Sequence, residues 1–340
     1  MVNDLVDTLI FYLRNLLLDS FLPVLQPAID VGSTFEGWSS CEEDIIYRVL
    51  VPLKPPRGHA FHPELIDAGV GPARNFCIRV EPVCTCTDEQ LAEKMLCFLH
   101  QPEEELRRNQ EPSLCTGSYL DVHKTADWFH QLVKASWVLS PLSSQWRLTF
   151  LPSSRSCRFQ LAKDKTKRLN IEMMFGVQQG FSDIFLSSES TEDIFTPSTM
   201  WLESYAVAEA AFFRHVARQA PHNSCHLKCL QVCARILVGT TFSTSTMKTV
   251  VMHLLTIFPM SRWHRRDLVP RLQDIMWFLR CCVENKRLDH FFFGNGNVPD
   301  EVVLPRALRT AEPLNLFQHL AQDPDAHAEA LREFMDLQDR

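Results

Sequence analysis

The chain has 340 residues, 46% of them hydrophobic and 22% charged, enough apolar content for a large core and enough length for two lobes. Its formal charge of -7 at pH 7 excludes a general nucleic-acid surface, because such affinity comes mostly from neutralising phosphates with Lys and Arg; only local basic runs such as 163–168 stand apart. The twelve cysteines form no CxxC pair and no regular disulfide framework, so most are expected to be reduced and buried.

The longest charge-free apolar stretches, 20–29 and 249–261, fall short of the roughly 20 residues needed to cross a bilayer. Asp4 and Asp7 interrupt the beginning of the chain where a secretory signal carries positive charge. As written, the chain is expected to be soluble.

Residues 2–22 place Val2, Leu5, Val6, Leu9, Leu13, Leu16 and Leu17 on one face at helical spacing, with Asp4, Asp7 and Arg14 elsewhere. This predicts an amphipathic helix packed on the first lobe. It is poor in the Lys and Arg that membrane-surface helices carry.

The next stretch, DVGSTFEGWSSCEEDIIYRVL at 30–50, is the most informative one. A Gly32-Ser33 turn leads across a polar segment to Glu42 and Asp44, and then into an apolar strand at 45–51. Strand residues alternate faces, so Glu42 and Asp44 point the same way. Two carboxylates at the mouth of a strand, behind a turn whose amides can hold a phosphate, are what metal-dependent nucleotidyl transfer needs. The plain alternative is two solvated acids at a strand entry.

Residues 52–74, rich in Pro, Gly and His, read as a long excursion from the sheet, and 76–80 as a second strand. Thr87 to Gln90 has capping-box spacing and predicts a helix running to about His100, followed by a polar loop over 101–117. A helix is expected at 120–137, with Val122, Ala126, Phe129 and Val133 inward. Strands at 146–151, 157–161 and 169–175 complete a mixed sheet. The apolar segment 182–188 reads as a further strand or as the crossing between lobes.

From Thr199 the periodicity is helical: 200–219, 226–238, 246–258, 267–285 and 324–337, with a looser stretch at 294–313. Asp323 before Pro324 predicts an N-cap and an N1 proline. The domain boundary is accordingly expected near 195, with a sheet lobe over 1–195 and a helical lobe over 196–340.

Two features of the helical lobe have two readings each. His222, Cys225, His226, Cys229 and Cys233 recur at spacings that share a helical face, either as metal ligands or as core residues. Core is preferred, since free Cys is among the most buried residue types and one helix rarely encloses four ligands. No structural metal is expected on that reading. The basic run 262–266 either contacts an acidic partner or closes a turn around Trp263, and one of Cys281 and Cys282 should face the core.

The Gly32-Ser33 turn with Glu42-x-Asp44, then Phe242-Ser-Thr-Ser-Thr-Met-Lys248-Thr249, Trp263-x-x-x-Asp267-Leu268 and Lys286-Arg-Leu-Asp-His-Phe-Phe292, resembles the male-abnormal (Mab) superfamily. That superfamily includes cyclic GMP-AMP synthase. Leu114-Cys-Thr-Gly-Ser-Tyr-Leu-Asp-Val122, Leu151-Pro-Ser-Ser-Arg-Ser-Cys157, Phe175-Gly-Val-Gln-Gln179 and Asp183-Ile-Phe-Leu-Ser187 are similar to the inositol trisphosphate receptor-interacting protein family, most of all its "like 1" branch. The resemblance covers nearly the whole chain.

It implies an α+β fold: a nucleotidyltransferase-type mixed-sheet lobe with an N-terminal spine helix, followed by an all-helical lobe. It also implies a third acid on a central strand, by position Glu172. The enzymes usually have Asp there, and the extra methylene displaces the carboxylate in a site where two metals sit about 3.5–4 Å apart. Where the synthase stacks an aromatic residue on the base, a contact worth roughly 1–3 kcal/mol, this chain has Ser245. Lys248 matches a family lysine, and the synthase's inserted zinc loop is missing.

The main expectation is therefore a non-catalytic signalling or scaffold protein without a cofactor, acting on a protein partner such as a membrane receptor or channel. By family resemblance it is membrane-associated and single-pass, through a segment missing from this chain. The rival is a nucleotidyltransferase holding Mg at Glu42, Asp44 and Glu172. A third reading is a nucleotide or inositol-phosphate sensor using Gly32, Ser33 and Lys248.

Overall fold

The computed structural model describes residues 2–17, 20–39, 45–67, 74–86, 97–100, 113–163, 167–189, 196–237 and 240–338. The chain opens with α1 (Val2–Leu16), whose Val2, Leu5, Val6, Leu9, Ile10 and Leu13 are buried. The helix stops six residues before the expected end, and Leu16, expected to be buried, is 44% exposed. The chain leaves helical geometry at that point, and Leu17 turns onto the core in its place.

Two short strands, β1 (Val24–Leu25) and β2 (Ile29–Val31), and the single turn α2 (Ser33–Glu36) lead to β3 (Ile46–Lys54). The described part of 52–74 is not an excursion. A turn at Gly58 leads into β4 (His59–Asp67), which pairs antiparallel with β5 (Asn75–Pro82). Pro63 obscures this strand in the sequence, yet among the described residues β4 pairs only with β5, and a proline is tolerated on such an edge. Of the capping-box helix expected from Thr87 to about His100, residues 87–96 lie outside the described residues, and Phe98–His100 forms a 3-10 turn instead.

A small hairpin, β6 (Cys115–Thr116) and β7 (Tyr119–Leu120), precedes α3 (Val122–Leu139). Asp121 caps α3 by accepting from the Lys124 amide at 3.0 Å. Then come β8 (Arg147–Leu151), β9 (Cys157–Lys163) and the long β10 (Lys167–Gln178). β10 runs parallel to β3 and antiparallel to β9. β11 (Phe185–Ser187) resolves the 182–188 segment as a strand.

The helical reading of 200–219 is corrected at its start: Met200–Ser204 is β12, paired with β5 and β11, and α4 (Ala206–Gln219) begins only after it. Trp201 anchors this strand, fully buried, with its indole N–H donating to the Leu120 carbonyl at 2.9 Å.

The remaining chain is helical: α5 (His226–Ile236), α6 (Thr244–Ile257), α7 (Leu268–Glu284), the short α8 (Arg306–Arg309) and α9 (Gln318–Gln322), and α10 (Pro324–Gln338). Asp323 caps α10, accepting from the amides of Asp325 and Ala326 at 2.9 and 3.2 Å. Trp263 is fully buried, so the basic run around it closes the turn into α7.

One apolar core lies between the sheet and α1 and α3; another fills the helical lobe. Trp38 and Ile184 come from the sheet lobe but pack in the helical core. This is the expected α+β architecture, a mixed sheet carrying a nucleotidyltransferase-type fold and a helical lobe behind it.

Candidate functional site

The lobes meet at a cleft of about 350 Å³ that brings Gly32, Ser33, Ser245 and Lys248 to one place, with Arg48, Tyr205 and His290 beside them. Gly32 holds φ at +83° at the entry to α2, a conformation that favours glycine. From α2 and its exit come Glu36 and Trp38, and from α6 comes Lys248.

Lys248 does not project freely into the cleft. Its side chain lies over the rings of Trp38 and Phe213, with Nζ 5.7 and 5.6 Å from their centroids. The ammonium donates to Glu36 Oε1 at 2.8 Å and to Glu209 Oε2 at 2.5 Å. The Glu36 carboxylate also accepts from the Trp38 indole at 2.7 Å. Burial alone would lower the lysine's pKa, but the two carboxylates outweigh it and hold the pKa above its ordinary value. Glu36 is shifted upward by burial, partly offset by Lys248. Two of the three ammonium donors are thus spent on joining α2, α4 and α6.

Of the three acids expected at a metal centre, Glu42 and Asp44 lie outside the described residues. Glu172 sits on β10 directly opposite Arg48 on β3. Arg48 Nε donates to Glu172 Oε2 at 3.2 Å, Ser156 Oγ donates to Oε1 at 2.9 Å, and Arg158 Nε stands 3.8 Å away. A guanidinium therefore lies within hydrogen-bonding reach of this carboxylate. Of the three acids that the implied magnesium site needs, Glu172 is the one among the described residues, and its carboxylate is paired with arginine. The sequence reading missed Arg48; its signal is a cation in the middle of the otherwise uncharged run 45–53.

The sequence reading also missed the cleft floor, because it placed 200–204 in a helix. Glu203 is fully buried there, gripped by Arg74 Nε at 2.8 Å and Nη2 at 2.5 Å, by the Tyr205 hydroxyl, and by Gln179 Nε2 at 3.2 Å. Burial, and then the Glu203 charge, drive the Tyr205 pKa upward. Burial pushes the His290 pKa down to about 4, so this wall of the cleft is a neutral imidazole at pH 7.

The His/Cys face of α5 is core. Cys225, Cys229 and Cys233 are buried, with the Cys233 thiol pushed up to about 12 by burial. His226 is pushed down to about 4 by the same cause. Among the described residues, the metal-ligating side chains that do converge are elsewhere, at Cys84, Cys86, Cys97 and His100. The expectation of no structural metal considered only α5.

A sheet lobe with this cleft at its junction with the helices defines a nucleotidyltransferase-type fold of the Mab class. Residues 225–303 match the family described as Mab-21 protein HhH/H2TH-like domain. The chain is 36% identical over 350 residues to inositol 1,4,5-trisphosphate receptor-interacting protein-like 1 of Rattus norvegicus, covering 99% of this chain and 64% of that protein. It is 29% identical over 363 residues to inositol 1,4,5-trisphosphate receptor-interacting protein of Homo sapiens, covering 99% of this chain and 66% of that protein. Over nearly its whole length the chain is similar to these receptor-interacting proteins, and it spans a little under two thirds of their own length.

Proposed function

We propose that this chain is a non-catalytic binding platform that acts by engaging a protein partner, a nucleotidyltransferase fold whose charged groups serve structure instead of chemistry. The observation that carries this reading is the Glu172–Arg48 pair at the centre of the sheet, where metal-dependent transfer would need an uncommitted carboxylate. The buried Lys248 clasp supports it, since most of that cation's hydrogen-bonding capacity is already used. The relatives' names point to the partner: an inositol 1,4,5-trisphosphate receptor, and with it a place at a membrane. No helix among the described residues is long and apolar enough to cross a bilayer.

Nucleotidyl transfer needs reacting groups held close to their productive geometry, and a displacement of about 1 Å can cost roughly a hundredfold in rate. The chain incubated with ATP, GTP and Mg²⁺ or Mn²⁺, with or without nucleic acid, is expected to yield no nucleotide product. A product that vanishes in Asp44→Asn would overturn the non-catalytic reading. Co-precipitation with an inositol 1,4,5-trisphosphate receptor tests the other half, and failure to retain the receptor removes it as the partner.

A further inference from the structure

We propose that Cys84, Cys86, Cys97 and His100 form a structural zinc site on the sheet lobe, with three thiolates and one imidazole as ligands. Two segments converge there: the Cys-x-Cys run that follows β5, and the Cys-x-x-His turn ending in Phe98–His100. Their four ligand atoms all lie within 4.8 Å of one another.

His100 Nδ1 is 3.9 Å from Cys84 Sγ, 3.5 Å from Cys86 Sγ and 3.4 Å from Cys97 Sγ. A tetrahedral zinc with Zn–S about 2.3 Å and Zn–N about 2.05 Å sets sulfur and nitrogen about 3.6 Å apart. The imidazole nitrogen is near this separation from three sulfurs at once. Hydrogen bonding does not account for that, because Nδ1 offers a single proton or a single lone pair and can serve one sulfur. A cation at the centre satisfies all four groups.

The surroundings hold the two segments in place without the metal. The Cys97 amide donates to Cys86 Sγ at 3.3 Å, a contact that eases negative charge on the sulfur. Thr85, between the first two cysteines, accepts from the Gly58 amide through Oγ1 at 2.8 Å, and the Val83 amide donates to the Gly58 carbonyl at 2.9 Å. Phe98, between Cys97 and His100, packs on His59 and Phe21 at centroid separations of 4.9 and 5.5 Å. Gly58 has φ +85°, and a Cβ there would stand 2.8 Å from the Phe98 nitrogen. Both halves of the site are therefore seated on one turn, between β3 and β4.

Four protein ligands leave no open coordination position, so the metal fastens the fold and does no chemistry. It pins the chain on either side of 87–96 to the β3–β4 turn.

The test is metal analysis of the full chain, purified under reducing conditions without a metal-affinity tag. One zinc per chain is expected, lost in Cys97→Ser and in His100→Ala but kept in the Cys225→Ser/Cys229→Ser double variant. Replacement by cobalt(II) in the unaltered chain should give the intense visible bands of tetrahedral thiolate coordination, a readout that needs no variant to fold. Zinc well below one equivalent after exposure to Zn²⁺ would overturn the proposal. So would a cobalt spectrum without tetrahedral bands, zinc that survives the loss of both Cys97 and His100, or a disulfide found among the three cysteines.

Discussion

Lys248 stays charged at 6% exposure because Glu36 and Glu209 reach it from two other elements. Removing one partner from such a buried set typically costs about 3–5 kcal/mol, because the groups left behind are charged and poorly hydrated. Lys248→Met should destabilise the chain by that order at pH 7 in urea denaturation. The pH dependence follows from Glu36, whose pKa burial already raises and which Lys248 pulls back. Without the lysine it rises further. Between its unfolded and its raised folded value the folded chain holds more protons, so stability falls as pH rises through that window and returns as pH falls. The deficit of Lys248→Met should therefore shrink as pH is lowered from 7 towards about 5, and a deficit independent of pH would show that Glu36 is not the group left stranded. The lysine itself adds nothing to this slope, since its raised pKa keeps its contribution intact below 10.5. The sequence showed that Lys248 matters but not to what, for its partners are 212 and 39 residues away. Arg48 opposite Glu172 is hidden in the same way, by a strand register joining positions 124 residues apart.

At the scale of elements, α1 was legible because its leucines repeat at the helical period, while its end was not, because the last turn has no stop signal. Leu9 is buried against the sheet-lobe core and Leu16 is not, though both fit the same stripe. Leu9→Asp should lower stability by several kcal/mol in thermal or urea denaturation, because a carboxylate would enter an apolar interface. Leu16→Asp should stay within about 0.5 kcal/mol of the parent, as surface substitutions do. Equal effects at the two positions would refute the packing of α1. Strands were legible where apolar and polar residues alternate, as in β9 and β10, and were lost where a local feature argued otherwise. Pro63 concealed β4, and Met200-Trp-Leu-Glu-Ser was absorbed into the alanine-rich helix that follows it. The Cys84, Cys86, Cys97 and His100 group escaped a search for CxxC pairs because its two halves flank the ten residues 87–96.

At the scale of the whole molecule, the change from strand to helix periodicity reveals two lobes but says nothing of how tightly they are joined. Trp38, on the sheet-lobe side, is buried in the helical core, and so is Ile184. Next to Ile184, the Asp183 amide donates to the Val303 carbonyl at 2.7 Å and its carboxylate accepts from the Val303 amide at 2.8 Å. The Gln231 side chain donates to the Ser39 carbonyl at 3.2 Å, and Lys248 of α6 joins Glu36 of α2. Neither lobe can unfold alone without exposing Trp38 and Ile184 to water and breaking a buried ion pair. Chains beyond about 150 residues commonly unfold in steps, so a single transition here would have to come from that shared core. We expect one urea transition, with far-ultraviolet and near-ultraviolet circular dichroism coinciding. Trp38→Ala should lower its midpoint by an amount equivalent to about 3–5 kcal/mol, the usual cost of deleting a buried large aromatic. The slope should be unchanged if the two lobes still open together, since it tracks the surface exposed on unfolding. Two separated transitions in the unaltered chain, or a Trp38→Ala variant in which only the helical signal moves, would mean that the lobes are stable independently.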